Sequence, residues 1–380
     1  MLTTASVFAG ARAGRSDRSL ISISLATLIV IGLLIYVDSG VRTLSLLLIG
    51  VGLGAAFWTV QFGFSSGWRR WLTVGDTSPI LTHLLLLGLV TAFVLPTLGY
   101  VPGARGAVAP LAFSLPLGSC LFGIGMQLAN GCGSGTLFSL GGGSGRMIAV
   151  LPFFVIGSLI GSFLLPPALE MGGYEAVIIG AGMGNAAGTL LNLVIIGAVA
   201  AVIYIFGRYK GAHVSISNGL VFGTIVIAIL CWLCVLISGH PWGVTFGFTL
   251  WGAKIWQSLG GELSSFAFWG WPGPARALEN SVLADVSSIM DIGMLLGALL
   301  FSSCLGRSEK SVWPGSRQLI AAVLGGLMMG IGARLAFGCN IGAFLGGVAS
   351  GSLHGWIWFI FAIIGSWIGV RMRSRFGMSR

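Results

Sequence analysis

This sequence is poor in charged side chains, which make up 8% of its 380 residues, and it has only ten acidic residues and four histidines. The acids and histidines form no paired-carboxylate, histidine-rich or phosphate-binding pattern, so the sequence predicts neither a hydrolase nor an ATP-driven pump. It predicts no metal site, no cofactor and no enzymatic activity. Basic residues are not interleaved with aromatic residues in one block, so nucleic acid is not an expected partner.

Apolar residues dominate instead. They make up 56% of the chain, and the mean hydropathy of +0.97 is far above that of a soluble globular domain. A membrane-spanning helix needs roughly 20 mostly apolar residues, and such runs follow one another here with short polar stretches between them. The sequence therefore predicts an all-α polytopic membrane protein in a lipid bilayer, without a separate soluble domain. The predicted spans are 20–37, 41–62, 79–98, 116–138, 147–168, 186–206, 214–238, 282–305, 319–341 and 354–370.

The first 19 residues form a predicted basic cytoplasmic segment, in which Arg12, Arg15 and Arg18 precede the apolar run 20–37. This arrangement resembles a signal peptide, but the run is long enough to span, no small-residue cleavage site follows, and another apolar run begins directly. We therefore expect a retained first helix. Placing this end in the cytoplasm of a prokaryotic (inner) membrane also puts the other basic clusters inside, as loops on that side are enriched in Lys and Arg. These clusters are Arg69/Arg70, Arg146, Arg208/Lys210, Arg307/Lys310 and the tail residues Arg371, Arg373, Arg375 and Arg380.

Three stretches between the spans are too apolar for ordinary loops. They are 101–115, 170–185 and 240–280, which are rich in glycine, proline and aromatic residues and poor in charge. Irregular backbone at membrane depth persists only where protein or a cavity satisfies its polar groups. The sequence therefore predicts short re-entrant half-helices in these stretches.

An internal repeat relates two parts of the chain. The segment LGSCLFGIGMQLANGCGSG at 117–135 recurs as LGGLMMGIGARLAFGCNIG at 324–342, so Cys132 and Cys339 occupy matching positions. In the predicted topology the first copy runs from outside to inside and the second from inside to outside, which makes the repeat inverted. Such repeats place a substrate site near the bilayer midplane where the copies meet. We predict a first half at 20–210, a second half at 211–371 and a basic tail at 372–380.

The repeated Gly-Cys-x-x-Gly pattern suits a small anion. Glycines interrupt a helix and expose N–H groups, and helix N-termini attract anions. A neutral thiol adds a weak donor, which suits a pathway in which an ion must bind and then leave. The alternative is that both cysteines only pack between helices. The predicted binding and translocation residues are Cys132, Cys339, Ser65, Gly131, Gly133, Gly338, Asn340 and Arg334.

These motifs resemble the YeeE/YedE family of membrane proteins. The resemblance is carried by 131–135, by 338–342, and by the segment GHPWGVT at 239–245, which leads to WGAK at 251–254. It covers most of the chain from about residue 50 onward. It implies a pseudo-symmetric bundle of long spans and short re-entrant helices that takes up thiosulfate, hands it between thiols and cooperates with a cytoplasmic sulfur-carrier protein of the TusA type. Ser65 stands where the family often has another cysteine, so selenium or another sulfur oxyanion is an alternative substrate.

Other residues leave alternatives open. Arg334 stands where the first copy has Gln127, and an intramembrane arginine is a candidate ligand or gate, although it could instead snorkel or pair with a backbone carbonyl. Lys254 could draw anions inward or belong to a solvated loop, and His240 beside a proline is typical of a turn.

Two rival functions remain at this level. The Cys231-x-x-Cys234 spacing is that of a thiol-disulfide oxidoreductase, although its position within an apolar helix favours packing. The other rival is a general conduit for formate-like anions, ammonium or water. No pair of intramembrane acids indicates a coupling ion, so the sequence predicts facilitated passage.

Overall fold

The computed structural model describes residues 17–306 and 313–379, and these residues are almost entirely helical. The helices are α1 (Arg18–Val60), α2 (Phe64–Val74), α3 (Ser78–Tyr100), α4 (Ser114–Ala129), α5 (Gly133–Gly141), α6 (Gly145–Glu170), α7 (Asn185–Tyr209), α8 (Asn218–Ser238), α9 (Val244–Ser258), α10 (Ala267–Gly270), α11 (Pro272–Glu279), α12 (Val286–Cys304), α13 (Ser316–Leu335), α14 (Gly346–Ala349) and α15 (Leu353–Met372). A π-helix (Asn340–Leu345) precedes α14, and 3₁₀ turns form at Val282–Ala284 and Arg373–Phe376. The predicted topology residues Arg12, Arg15, Arg307, Lys310 and Arg380 lie outside the described residues.

Helix α1 is a helical hairpin. Its 43 residues would extend about 65 Å as one straight helix, but Gly40 has a non-helical conformation with φ 74° and ψ −172°. A Cβ placed on Gly32 would lie 3.4 Å from Leu44 Cδ1, so the two arms run side by side. The arms correspond to the predicted spans 20–37 and 41–62.

Eight helical stretches of the described residues are long and apolar enough to cross a membrane. Because the first stretch contains both arms of α1, the eight include nine of the ten predicted spans. The tenth, 116–138, is not among them, since α4 ends at Ala129 after 16 residues. The all-helical, multi-pass architecture is confirmed, whereas the count of ten spans stays a prediction.

The two copies of the repeat pack against each other in opposite directions. A Cβ on Gly118 in α4 would lie 2.8 Å from the Gly332 carbonyl oxygen in α13, and one on Gly125 would lie 2.7 Å from that of Gly325. Residue numbers increase along α4 while those of the contacting residues in α13 decrease, so the two helices are antiparallel, as an inverted repeat requires. Glycine is needed at these crossings because the two backbones touch.

The prediction of re-entrant half-helices is wrong for two of the three segments. Residues 101–113 and 171–184 form no helix, and each instead contributes one short strand, β1 (Leu111–Ala112) and β2 (Gly173–Tyr174), to an antiparallel pair. Glycines with positive φ, such as Gly172 (95°) and Gly180 (83°), favour turns over helix in the second segment. The third segment, 240–280, does contain short helices, namely α9, α10 and α11.

The basic tail predicted at 372–380 is docked on the helical bundle. Arg373 is only 4% exposed, and its guanidinium donates to the Gln127 carbonyl (2.6 Å) and to the Ser379 carbonyl (2.7 Å). The tail therefore closes over the end of α4.

Candidate functional site

Both repeat cysteines lie at breaks between helices. Helix α4 ends at Asn130 in a left-handed conformation (φ 66°), and Cys132 is the extended N-cap residue of α5. In the second copy, Phe337 (φ 61°) and Gly338 (φ 151°) end α13, and the extended Cys339 precedes the π-helix. The predicted spans 116–138 and 319–341 are interrupted at the Gly-Cys motifs, as their glycines indicated, because these residues turn the chain before the cysteines. Each cysteine consequently lies at the N-terminus of a short helix.

The structure brings these two breaks together. A Cβ on Gly133 would lie 3.2 Å from Cys339 Sγ and 3.5 Å from Val244 Cγ1. Both cysteines are 1% exposed. The Cys132 sulfur accepts a hydrogen bond from the Gly135 N–H at 3.3 Å. Two thiols 207 positions apart in the sequence thus share one buried region.

Two further short helices begin in the same region. Helix α2 begins at Phe64, whose N–H faces Cys132, and α9 begins at Val244. A Cβ on Gly342 would lie 3.6 Å from Gly243 Cα, which joins the start of α9 to the second Gly-Cys motif. The N-terminus of a helix carries partial positive charge and free N–H groups. Their convergence creates an anion-attracting centre without requiring a charged side chain.

A second, shorter repeat relates the starts of α2 and α9, and it becomes evident only once the structure shows both helices at the site. The start of α2 reads Gly-x-Ser-x-Gly at 63–67, and the start of α9 reads Gly-x-Thr-x-Gly at 243–247. The helices that precede them, the second arm of α1 and α8, run in opposite directions in the predicted topology. The signal was short, but it identifies Thr245 as the counterpart of Ser65.

Arg334 extends from α13 to the start of α9. Its Nη2 donates to Thr245 Oγ1 at 2.9 Å, whereas its Nε has no partner among the described residues. Within residues 17–306 and 313–379, the only salt bridge joins Arg70 and Asp76, so Arg334 has no acid paired with it there. A buried cation without a counter-charge is costly. A bound anion would reduce that cost.

Asn340 adds an unused amide to this region. It is fully buried, and neither its amide nitrogen nor its amide oxygen has a hydrogen-bond partner within the described part of the chain. Buried side chains of this kind are normally satisfied by protein or solvent. Asn340 and the Nε of Arg334 therefore leave buried polar groups in this region that a polar ligand could satisfy.

Ser65 belongs to the wall of the site. It is 3% exposed, and its hydroxyl donates to the Met126 carbonyl at 3.0 Å. In return, Gln127 Nε2 donates to the Ser65 carbonyl at 3.2 Å. These two bonds fasten α2 to α4. In this conformation the Ser65 hydroxyl donates its proton within the protein and does not offer it to a ligand.

Three arginines surround the inner end of α4, which is the cytoplasmic end in the predicted topology. Arg69 donates to the Asn130 side chain (2.7 Å), Arg146 to the Leu128 carbonyl (2.7 Å) and Arg373 to the Gln127 carbonyl (2.6 Å). Cations at a helix C-terminus are stabilised by its dipole. Their shared charge also makes this end of the site attractive to an anion.

Two cavities approach the site from opposite ends. One lies on the side that is outer in the predicted topology, and this outer cavity has a volume of about 580 Å³ and is lined by His240, Trp242, Gly243, Asp285 and Ser287, among others. The inner cavity has a volume of about 410 Å³, and the residues lining it include Gln61, Phe62, Gly63, His83 and Ser217. Each cavity reaches the glycine that precedes one of the two related helices, α9 outside and α2 inside.

The remaining residues singled out in the sequence lie away from the thiols. Lys254 belongs to α9 and donates to the Leu278 carbonyl, and His240 Nδ1 is 2.6 Å from the Pro241 carbonyl oxygen. None of the six cysteines forms a disulfide in the described part of the chain, and Cys234 contacts Met290 with 3.4 Å between the sulfurs. The Cys231-x-x-Cys234 pair therefore packs within α8 and its neighbours.

A buried anion-attracting centre between opposed cavities, within a bundle of membrane-crossing helices, is the arrangement of a membrane transporter. A family model described as sulphur transport matches residues 59–368. The chain belongs to this family, and the resemblance to YeeE/YedE proteins is confirmed.

Known relatives cover different shares of the chain. The thiosulfate transporter TsuA of Spirochaeta thermophila is 28% identical over 269 residues, which is 66% of this chain and 74% of that protein. The protein of the same name in Escherichia coli K12 is 25% identical over 85% of this chain and 92% of its own length. The probable transporter YedE of Escherichia coli K12 is 38% identical over 136 residues, so the chain matches about a third of that relative (33%).

Proposed function

We propose that this protein takes up thiosulfate through a bacterial cytoplasmic membrane and passes it between Cys132 and Cys339. The observation that carries the proposal is the meeting of two Gly-Cys breaks in one buried region, beside groups of Arg334 and Asn340 that have no hydrogen-bond partner among the described residues. The similarity to the two thiosulfate transporters named TsuA supports this choice of substrate.

The site offers two kinds of contact that match the two ends of thiosulfate. Arg334 and the N–H groups that begin α2, α5 and α9 suit the sulfonate oxygens, because helix N-termini and guanidinium groups bind oxyanions. The thiols of Cys132 and Cys339 suit the terminal sulfur as weak, polarisable partners. Weak contacts at successive positions allow an ion to move onward instead of remaining bound.

The inner arginines and a carrier protein complete the proposed path. Arg69, Arg146 and Arg373 lie at the end of the bundle that is cytoplasmic in the predicted topology, where they would receive the anion. A TusA-like sulfur carrier is the proposed cytoplasmic partner. Transport itself requires no covalent change in the anion, so we propose a permease and not an enzyme.

Growth of a sulfur-auxotrophic bacterial host on thiosulfate as sole sulfur source tests the proposal. The wild type should rescue growth, whereas Cys132→Ala and Cys339→Ala should reduce it at matched expression, because each removes one of the paired thiols. Cys304→Ala is the matched control, since Cys304 is exposed at the end of α12 and should leave growth unchanged.

The same assay separates the alternatives. No rescue by a well-expressed, membrane-inserted wild type would refute thiosulfate uptake and favour selenium or another sulfur oxyanion, which competition assays would identify. Rescue that persists in both cysteine variants and resists thiol reagents would instead favour a general conduit. Rescue by the wild type alone would establish passage through the paired thiols.

A further inference from the structure

Asp291 is a buried acid that the proposed path does not yet use. It is the only acidic side chain among residues 17–306 and 313–379 that is fully buried, with 0% exposure. Neither carboxyl oxygen has a hydrogen-bond partner within these ranges. The Trp242 indole faces the carboxyl, yet the two groups do not meet the geometry of a hydrogen bond. Such an acid in a membrane-crossing helix is costly and needs a reason.

Asp291 lies beside the anion site. A Cβ on Gly247 would collide with Asp291 Oδ2, so the glycine leaves room for the carboxyl against the first turn of α9. Two residues earlier on the same turn, Thr245 holds Arg334 at 2.9 Å. The carboxyl and the guanidinium therefore flank the start of one helix.

A route from the outer cavity leads toward this carboxyl. Asp285 and Ser287 line that cavity, as does Trp242, which faces Asp291. Asp285 is the N-cap residue of α12 and accepts from the Ser288 N–H at 2.8 Å. Asp291 lies six residues further along the same helix, about 9 Å at a rise of 1.5 Å per residue. The outer cavity and the buried carboxyl are thus separated by less than two helical turns.

Few other charged or titratable groups face Asp291 from the elements packed around it. Cys339 and Asp285 do so, whereas Arg334 donates to Thr245 on the neighbouring turn of α9. The second arm of α1 carries only Arg42, which donates to the Ile237 and Ser238 carbonyls at its outer end, and α5 has no charged residue. In α9 the single charged residue, Lys254, donates to the Leu278 carbonyl.

We propose that Asp291 binds a proton from the outer cavity and thereby couples the entry of the proton to the entry of the anion. The proposal rests on the proposed transport function. An ionised carboxyl without a partner is expensive to bury, and an anion bound near Arg334 and Cys339 adds negative charge that further favours the protonated form. By reciprocity, a proton on Asp291 strengthens anion binding. On the outer side the ionised carboxyl takes one proton from a hydronium ion and leaves water. As the anion moves inward, the same O–H bond breaks and the proton passes to water on the cytoplasmic side, so proton and anion enter together.

The test uses the full chain in proteoliposomes with labelled thiosulfate and with the membrane potential clamped. An inside-alkaline pH gradient should raise the initial uptake rate of the wild type at least about fivefold, the low end of typical coupling between two ligands. Asp291→Asn should still take up thiosulfate but lose this response. Asp38→Asn is the matched control, because Asp38 is exposed beside the α1 hairpin turn, and it should respond like the wild type.

Each outcome is decisive. Wild-type uptake that ignores the gradient, or a full response in Asp291→Asn, would overturn the coupling while leaving thiosulfate transport intact. If folded wild type takes up no thiosulfate under any gradient, the proposed function fails and the coupling falls with it. If Asp291→Asn does not fold, the internal pH of vesicles that contain the wild type is measured instead, with a trapped pH-sensitive dye. Acidification of the interior on thiosulfate addition supports coupling, and its absence overturns it.

Discussion

The outer and inner cavities end at the same backbone pattern but face different chemistry. Outside, Gly247 in the Gly-x-Thr-x-Gly turn abuts the carboxyl of Asp291. Inside, Gly67 in the Gly-x-Ser-x-Gly turn would place a Cβ 2.7 Å from Cε1 of His83. Asp291 and His83 are each the sixth residue of the long helix that follows, α12 and α3 respectively. The related halves thus place a different titratable side chain at one equivalent position.

In the proposed path, this difference gives the two related halves different roles. His83 stacks on Phe64, with ring centroids 4.5 Å apart, and contacts Phe62 edge-on, so aromatic packing holds it in place. Asp291 has no aromatic support of this kind, and its carboxyl oxygens, like Nδ1 of His83, have no hydrogen-bond partner in the described part of the chain. The outer half therefore offers a group suited to exchanging a proton. The inner half offers the arginine cluster, which is suited to receiving an anion.

The largest effect should come from Arg334→Gln, which gives the second repeat the residue that the first has at Gln127. The change removes a buried cation from the site, and hydrogen bonds to charged groups contribute about 1.5–3 kcal/mol each. We expect thiosulfate uptake per folded molecule to fall about 10- to 100-fold, mainly through a higher KM. Labelled-thiosulfate uptake at matched membrane expression measures this.

Arg371→Gln is the matched control for this change, because Arg371 is an exposed arginine stacked over Trp367 at the end of α15. It should leave uptake unchanged, and Arg334→Lys should restore part of the loss. An Arg334→Gln variant with the wild-type KM would show that this arginine supports the fold without contacting the anion.

Removal of the hydroxyls at the two equivalent positions, Thr245 and Ser65, should reduce uptake less, and by different amounts. Thr245→Val removes the acceptor that positions Arg334, so we expect a KM about tenfold higher, matching about 1.4 kcal/mol. Ser65→Ala removes only the bond to the Met126 carbonyl. It should cost about 1 kcal/mol of stability and change uptake less than about twofold. Uptake kinetics together with thermal melting of the purified proteins distinguishes the two. Equal losses of uptake in Thr245→Val and Ser65→Ala would contradict the different roles assigned to the two hydroxyls.

The sequence identified the centre of the site because one repeat was long and free of gaps. The matching Gly-Cys positions at offset 207 predicted that Cys132 and Cys339 would meet, and the glycines predicted broken helices there. What remained hidden depends on contacts between distant segments. The start of α9 reaches Arg334 through Thr245, and the sequence alone gives no register between those helices.

Composition was a weaker guide than the repeat. Apolar, glycine-rich stretches at 101–115 and 170–185 suggested half-helices, but a glycine-rich chain can equally form packed extended connections, and here Leu111 pairs with Tyr174. Asp291 was visible as an acid inside the predicted span 282–305. No pattern of paired acids singles it out in the sequence, whereas in the described residues its burial and its lack of a hydrogen-bond partner distinguish it.

The smallest effect should come from His83→Gln, which tests whether the inner counterpart of Asp291 also carries protons. Glutamine preserves a polar side chain at this position but does not titrate, and the aromatic packing of His83 gives it no route to the outer cavity. We expect uptake within about twofold of the wild type and a full response to an inside-alkaline gradient, measured in the same proteoliposome assay. Loss of that response, with uptake otherwise intact, would place the coupling proton on the inner side. The two halves would then have exchanged the roles inferred for them, because His83 would load and release the proton while Asp291 would serve packing alone.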